Sequence, residues 1–345
     1  MHLFSSAKHP FFLLFLLFLF WLLVLFWACF QGAYTLSWEK IFCSFLSFFQ
    51  KGDLTDPMAN HILLQIRAPR VLLAALSGGI LALSGLLLQG VLKNPLADPF
   101  TLGLSQGAAC GASLAIVGII PPLSFAPCVK TSITALAAFG GALIAISGTL
   151  WFGKKGHRFD HTRIILAGVA VATILGSLVA LIKALNEESI ASIVFWVMGS
   201  FQGVFWDDMP ILLLPLVPGL FVIMGTWRSL DLFFLDDEQA IPIGLNAHRT
   251  RIMILLAASL MTAGCVAIAG VIGFVGLIVP HILRLLLGPL HAPLFFASFL
   301  GGGILLVLSD VLARTLLENG QEIPVGVVTA LLGGPFFAFL VKGRS

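Results

Sequence analysis

Gly-Val-Ile-Gly-Phe-Val-Gly-Leu-Ile-Val-Pro-His-Ile-Leu-Arg, residues 270–284, decides how the rest of the chain is read. Its apolar residues suit lipid, yet it carries Gly270, Gly273, Gly276, Pro280, His281 and Arg284. A helix that only anchors a protein needs none of these. Small residues let helices approach closely, and polar side chains inside a bilayer are costly enough to mark a working role. The stretch therefore predicts a packed membrane domain. It reads as the junction of two spans, with a tight turn leading into a short, proline-kinked helix that ends at an arginine.

The composition agrees. Of 345 residues, 59% are hydrophobic and 10% charged, and the mean hydropathy is +1.06. A water-soluble fold could not hide that much apolar surface. The class is an all-α polytopic membrane protein. Cys29, Cys43, Cys110, Cys128 and Cys265 show neither pairing nor ligand spacing, so they read as small packing residues and no metal or other cofactor is expected. The apolar run 11–30 is longer than a signal-peptide core and reads as a retained first helix.

Spanning helices need about 20 mainly apolar residues. Ten candidates meet or approach this: 11–33, 62–92, 100–120, 131–153, 163–185, 210–228, 250–271, 274–287, 293–314 and 325–341. With both termini in the cytoplasm, 12 of the 19 Lys and Arg residues fall inside, which favours that orientation. Residues 186–209 lie outside and contain an apolar piece, 190–198, read as a short external or re-entrant helix. The chain reads as a single permease-like domain, 1–345. Its parts are a first helix (11–33), a four-helix repeat (62–185), a linking helix (210–228), a cytoplasmic loop (229–249) and a second four-helix repeat (250–341). Four spans on each side of that loop, running from opposite faces, predict an inverted repeat.

Three clusters of motifs stand out. Arg67-Ala-Pro-Arg70 opens the second span on the outside, where the positive-inside rule disfavours arginine. The plain reading is snorkelling to the interface; the functional one is a positive patch for an acidic partner. Arg314 joins that patch or pairs with Asp310 one turn earlier. The segment 84–99, with Gln89, Asn94-Pro-Leu96 and Asp98-Pro, ends the second span in a tight turn. Glycines and serines surround it, including Gly103 and Ser105, and suit close helix packing beside a pathway. The loop 229–249 mixes acids with apolar residues, as expected where another protein docks. His281 has neither a second histidine at ligand spacing nor a neighbouring carboxylate, so a hydrogen-bonded histidine beside a kink is the better reading than a metal ligand.

Absences narrow the function. The chain has no Gly-x-x-x-x-Gly-Lys-Ser/Thr phosphate loop, no arginine-rich voltage sensor, no carbonyl filter motif and no relay of membrane-embedded acids. No catalytic or nucleic-acid site stands out. The rival to an energised multi-subunit transporter is a stand-alone secondary transporter coupled to an ion gradient, against which the missing membrane acids count.

Taken together, these motifs resemble the FecCD/BtuC-type permeases, the membrane subunits of type II ATP-binding-cassette importers for iron-siderophores, haem and cobalamin. The resemblance covers about residues 60–342. It rests on Arg67-Ala-Pro-Arg70; Leu83-Ser-Gly-Leu-Leu-Leu-Gln89; Asn94-Pro-Leu-Ala-Asp-Pro99; Leu166-Ala-Gly-Val-Ala170; Gly273-Phe-Val-Gly-Leu-Ile-Val-Pro-His281; Glu322-Ile-Pro-Val-Gly326; and Thr329-Ala-Leu-Leu-Gly-Gly-Pro-Phe. It implies a BtuC-like fold, a second permease subunit (the same or a different chain), two cytoplasmic ATPases and an external substrate-binding protein. It implies no enzymatic activity in this chain, and an inner-membrane location. Arg67, Arg70 and Arg314 then match binding-protein docking positions. Leu235, Asp236, Asp237, Glu238, Gln239, Ala240 and Gly244 match the ATPase-coupling region. Asn94, Leu96, His161 and Thr162 match positions near the cytoplasmic gate, although small hydroxyl residues are common where His161-Thr162 stands here. Gly168, Gly176 and Ser177 on the fifth span are expected to line the cavity.

Overall fold

The computed structural model describes residues 10–32, 57–120, 133–154, 160–233, 247–317 and 320–342. Within them a helix lies at each of the ten predicted spans. They are α1 (Pro10–Phe30), α2 (Pro57–Val91), α3 (Leu104–Ile116), α4 (Ile133–Gly153), α5 (His161–Leu185), α7 (Met209–Leu232), α8 (Ala247–Ala269), α9 (Val275–Leu287), α10 (His291–Thr315) and α11 (Val325–Lys342). The expected external piece is α6 (Ile190–Met198). No strand occurs among the described residues. Seven of the helices are long and apolar enough to cross a membrane, and α3, α9 and α11 are shorter apolar ones.

The core is α2, α8 and α10, the most buried of the long helices. Glycine explains how tightly they meet. Gly78 of α2 faces Gly302 of α10, and Gly85 of α2 faces Gly276 of α9; a Cβ at any of these four would overlap the partner's backbone or nearest side chain. Gly107 of α3 and Gly141 of α4 repeat the device. Between helices in lipid there is no hydrophobic gain, so close backbone approach supplies the dispersion energy that holds them.

The packing follows an inverted repeat. α2 packs on α9 and α10, and α8 packs on α3 and α4, while α2 and α8 pack on each other. The counterparts α3 and α9 both have 13 residues, and each starts after a residue with positive φ, Gly103 (84°) and Phe274 (70°). Thirteen residues rise only about 20 Å, short of the roughly 30 Å hydrocarbon core. Each is therefore a half-helix completed by irregular chain. For α3 this differs from the single span expected over 100–120: Asp98 caps a 3₁₀ turn, Pro99–Leu102, and the left-handed Gly103 separates it from α3. For α9 the irregular piece is 270–274, as the opening stretch suggested.

Two prolines inside helices release carbonyls, and each is caught by a distant side chain. Pro280 has no N–H to offer Gly276 four residues back, and the Gln89 amide donates to that carbonyl at 3.0 Å. The π-helical turn Ile62–Arg67 would bond Leu64 to Pro69, which also lacks the donor; the Trp206 indole N–H takes the Leu64 carbonyl at 2.8 Å. Gln89 thus replaces a buried backbone bond that water cannot supply, and Trp206 replaces an exposed one.

Candidate functional site

One end of the helix bundle carries the arginines. Arg67, Arg70 and Arg314 are only 5%, 8% and 6% exposed. They are not laid out as a solvent-facing positive patch; they are turned onto internal partners. The Arg70 guanidinium lies between two carboxylates. It donates to Asp310 through Nη2 (2.7 Å) and Nε (3.0 and 3.1 Å), and to Glu322 through Nη1 and Nη2 (both 2.9 Å). Planar fork geometry makes arginine suited to this double bidentate grip. Arg314 Nε lies 3.5 Å from Asp310 Oδ2, the i, i+4 pairing anticipated from the sequence. Arg67 Nη1 donates to the carbonyls of Cys29 (3.1 Å) and Phe30 (3.0 Å), and Arg314 Nη2 to that of Ala28 (2.8 Å). These carbonyls lie in the last turn of α1, where cations also meet the negative end of the helix dipole; that of Ala28 is shared with Gln31 N–H at 3.3 Å. The cluster therefore ties α1, α2, α10 and the approach to α11 into one frame. Asp310 and Glu322 were visible as acids in the sequence, but Glu322 stands 252 residues from Arg70, beyond any local pattern.

Beside this frame is a polar cleft of about 330 Å³, lined by Ser192, Trp196, Ser200, Gln202 and Glu322 among others. Its floor is backbone against backbone: Ser200 N–H donates to Ala269 O (2.8 Å) and Gly326 N–H to Gly199 O (3.3 Å). Gly199 (φ 75°) and Gly270 (φ 69°) hold left-handed conformations and touch neighbouring main chain, so neither tolerates a side chain.

The opposite end holds the turn 92–103. Lys93 adopts φ 47°. Asn94 Oδ1 accepts from Leu96 N–H (3.0 Å), closing an Asx turn, and both residues are half-buried. Asp98 is buried, with Oδ1 accepting from Phe100 N–H at 2.9 Å. Burial pushes its carboxyl up from 3.8 to about 6, opposed in part by that hydrogen bond. Arg284 Nη1 reaches Gln89 Oε1 at 3.2 Å, so Gln89 joins α2 to both ends of α9.

His161 and Thr162 form the first turn of α5, half-buried and exposed respectively, behind the N-cap Asp160, whose side chain accepts from Arg163 N–H (3.2 Å). Gly168 is buried where α5 crosses the backbone of Thr101 and Leu102. Gly176 lies against Gln106 of α3. Ser177 is exposed, with its hydroxyl donating to Thr173 O (2.9 Å). The structure thus gathers Gly168 and Gly176 at the contact of α5 with α3 and its preceding turn, and leaves Ser177 on the outer face of α5 with Val169, Leu166 and Leu181. The expected coupling residues Leu235, Asp236, Asp237, Glu238, Gln239, Ala240 and Gly244 lie outside the described residues. His281 meets Phe336 of α11 edge to face at 6.0 Å, and no group of three or more potential metal ligands occurs among the described residues.

The model of the FecCD transport family matches residues 17–343. The chain is 38% identical to the cobalamin import system permease protein BtuC of Halobacterium salinarum, over 90% of this chain and 80% of that one. It is 37% identical to the hemin transport system permease protein HmuU of Yersinia pestis, over 83% and 85%. It is 35% identical to the Fe(3+) dicitrate transport system permease protein FecD of Escherichia coli, over 84% and 88%. Its fold superposes on a metal-chelate type ABC transporter solved in an inward-facing conformation, with TM-score 0.82 and 30% identity, covering 96% of this chain and 99% of the other. A multi-span membrane subunit of this kind works with separate ATP-hydrolysing and substrate-binding partners. The chain belongs to the FecCD transport family and is an ABC importer permease.

Proposed function

We propose that this permease carries a bulky metal chelate, a ferric siderophore or a related haem or cobalamin, across the inner membrane by alternating access. The observation that supports this most is the set of relatives, whose names specify cobalamin, hemin and ferric dicitrate. A molybdate import permease, 34% identical, is also among the relatives. The exposed apolar face of α5 and the exposed Leu331 and Leu332 of its repeat counterpart α11 suit a partner subunit or lipid rather than water. A second permease subunit, identical or related, would pair there and enclose a pathway bordered by the Ser177 face of α5, with Gly168 and Gly176 setting how closely α5 packs on α3 behind it.

In this reading both termini and the 229–249 segment are cytoplasmic. Residues 235–240 and Gly244 receive the ATPases, and the turn at Asn94 and Leu96 with His161 and Thr162 stands near the inner gate. The Arg70 end faces outward and receives the binding protein. There Arg67, Arg70 and Arg314 act as the frame that holds the docking face. ATP binding and hydrolysis move the inner loops, and the spans rock to open the cavity inward.

The test is copurification with an ATPase whose hydrolysis rises when the loaded binding protein is added. Uptake of labelled ferric siderophore, haem and cobalamin then names the substrate. Failure of any ATPase to copurify, with uptake driven by a proton or sodium gradient, would establish the stand-alone transporter instead.

A further inference from the structure

The end of α7 and the start of α8, which flank residues 234–246, are both anchored in the bundle. On the entering side, three residues at the end of α7 are each fixed to a different helix. Leu230 is 1% exposed and packs at Gly90 of α2. Asp231 Oδ1 accepts two hydrogen bonds from one residue of α10, from His291 Nδ1 at 2.6 Å and from its backbone N–H at 3.1 Å. Phe233 is 2% exposed and lies under the Arg251 guanidinium of α8, 4.7 Å from the ring centroid. On the leaving side, Arg251 is itself 1% exposed, in the second turn of α8. His291 is 1% exposed and its Nε2 faces Gly90, where a Cβ would stand 3.1 Å from it.

The Asp231–His291 contact differs from the other two in being directional. Leu230 and Phe233 make apolar and ring contacts that slide. Asp231 instead caps the N-terminus of α10 from another helix, where a carboxylate is favoured by the free N–H groups and the dipole, and the imidazole bond fixes its rotation. α10 is the helix that meets α2 through Gly78 and Gly302 and carries Asp310 and Arg314 at its far end. A displacement at the end of α7 is thereby delivered to α10, which spans the bundle to the charged frame.

We propose that Asp231 and His291 are positioning residues that transmit displacement at the end of α7 to α10, so that ATP hydrolysis in the partner becomes opening of the pathway. This rests on the coupling role proposed above for the 229–249 segment. Both act through α10.

The experiment uses the full complex, permease with ATPase and binding protein in proteoliposomes, and reads chelate transported per ATP hydrolysed. His291→Phe and Asp231→Ala should assemble with the ATPase and hydrolyse ATP at near wild-type basal rate, while transport per ATP falls about tenfold. His291→Asn places an amide N–H near the Nδ1 position, and Asp231→Asn keeps the Oδ1 acceptor; both should recover to within about twofold of wild type. An unchanged ratio in His291→Phe overturns the inference, as does failure of Asn to rescue. Loss of ATPase assembly in the variants overturns it too, because the pair would then serve the joint itself. A wild-type complex without ATP-driven transport overturns the functional reading and this inference together, and so is distinguishable from failure of the inference alone.

Discussion

At the scale of single residues, the charged frame is the costliest feature to disturb. Arg70 binds two carboxylates in a poorly solvated site, Asp310, which also pairs with Arg314, and Glu322. Removing one member of a buried ionic network typically costs about 3–5 kcal/mol. Arg70→Met should therefore lower the melting temperature of the detergent-solubilised protein severely. Arg70→Lys, which keeps charge but loses the fork, should fall between. If Arg70→Lys lowers the melting temperature yet leaves binding-protein docking unchanged, the arginine serves the fold alone. Gln89→Leu strands the Gly276 carbonyl freed by Pro280 and should cost about 1–3 kcal/mol. Asp98 gives a pH signature. Its folded carboxyl holds a proton up to about pH 6, against an ordinary value of 3.8, so folding takes up protons between those values. The Asp98 contribution to stability should be greatest below about pH 4, fall as pH rises towards 6 and stay level above. Asp98→Asn retains the oxygen that caps Phe100 and should abolish that slope, as read by thermal unfolding across pH.

Between elements, glycine sets the separations. Gly302→Val or Gly78→Val should force α2 and α10 apart and destabilise the bundle by about 1–3 kcal/mol or more, because neither backbone can yield. Gly140, whose Cβ would meet nothing, should accept alanine without loss in the same unfolding assay. The positions of the ten spans were legible because runs of apolar residues are a one-dimensional signal. The inverted repeat was legible from the count of spans and their direction, and the Gly270–Arg284 stretch announced its irregular turn. The half-helix character of α3 was not, since a capped 3₁₀ turn and an α-helix share the same apolar content. The Arg70 partners and the Asp231–His291 bond were hidden for another reason: they join residues 60 to 252 positions apart, and one sequence holds no record of such contacts. Asp310 beside Arg314 was the exception, because i, i+4 spacing on a helix is itself a distance.

For the whole molecule, the glycine contacts of α2 with α9 and α10 and the charged frame of Arg70 with Asp310 and Glu322 tie the two repeats into one body that also holds the half-helices α3 and α9. Family membership places the energy source in a separate ATPase, and the exposed faces of α5 and α11 leave room for a second subunit. In the proposed function, transport through this chain is driven by ATP hydrolysis in that partner. The most direct measurement is uptake of a labelled ferric chelate into proteoliposomes holding the permease, the ATPase and the loaded binding protein. The account predicts accumulation that requires ATP, stops with a hydrolysis-deficient ATPase and ignores collapse of the ion gradient. Accumulation by the permease alone, driven by a proton or sodium gradient, would contradict it.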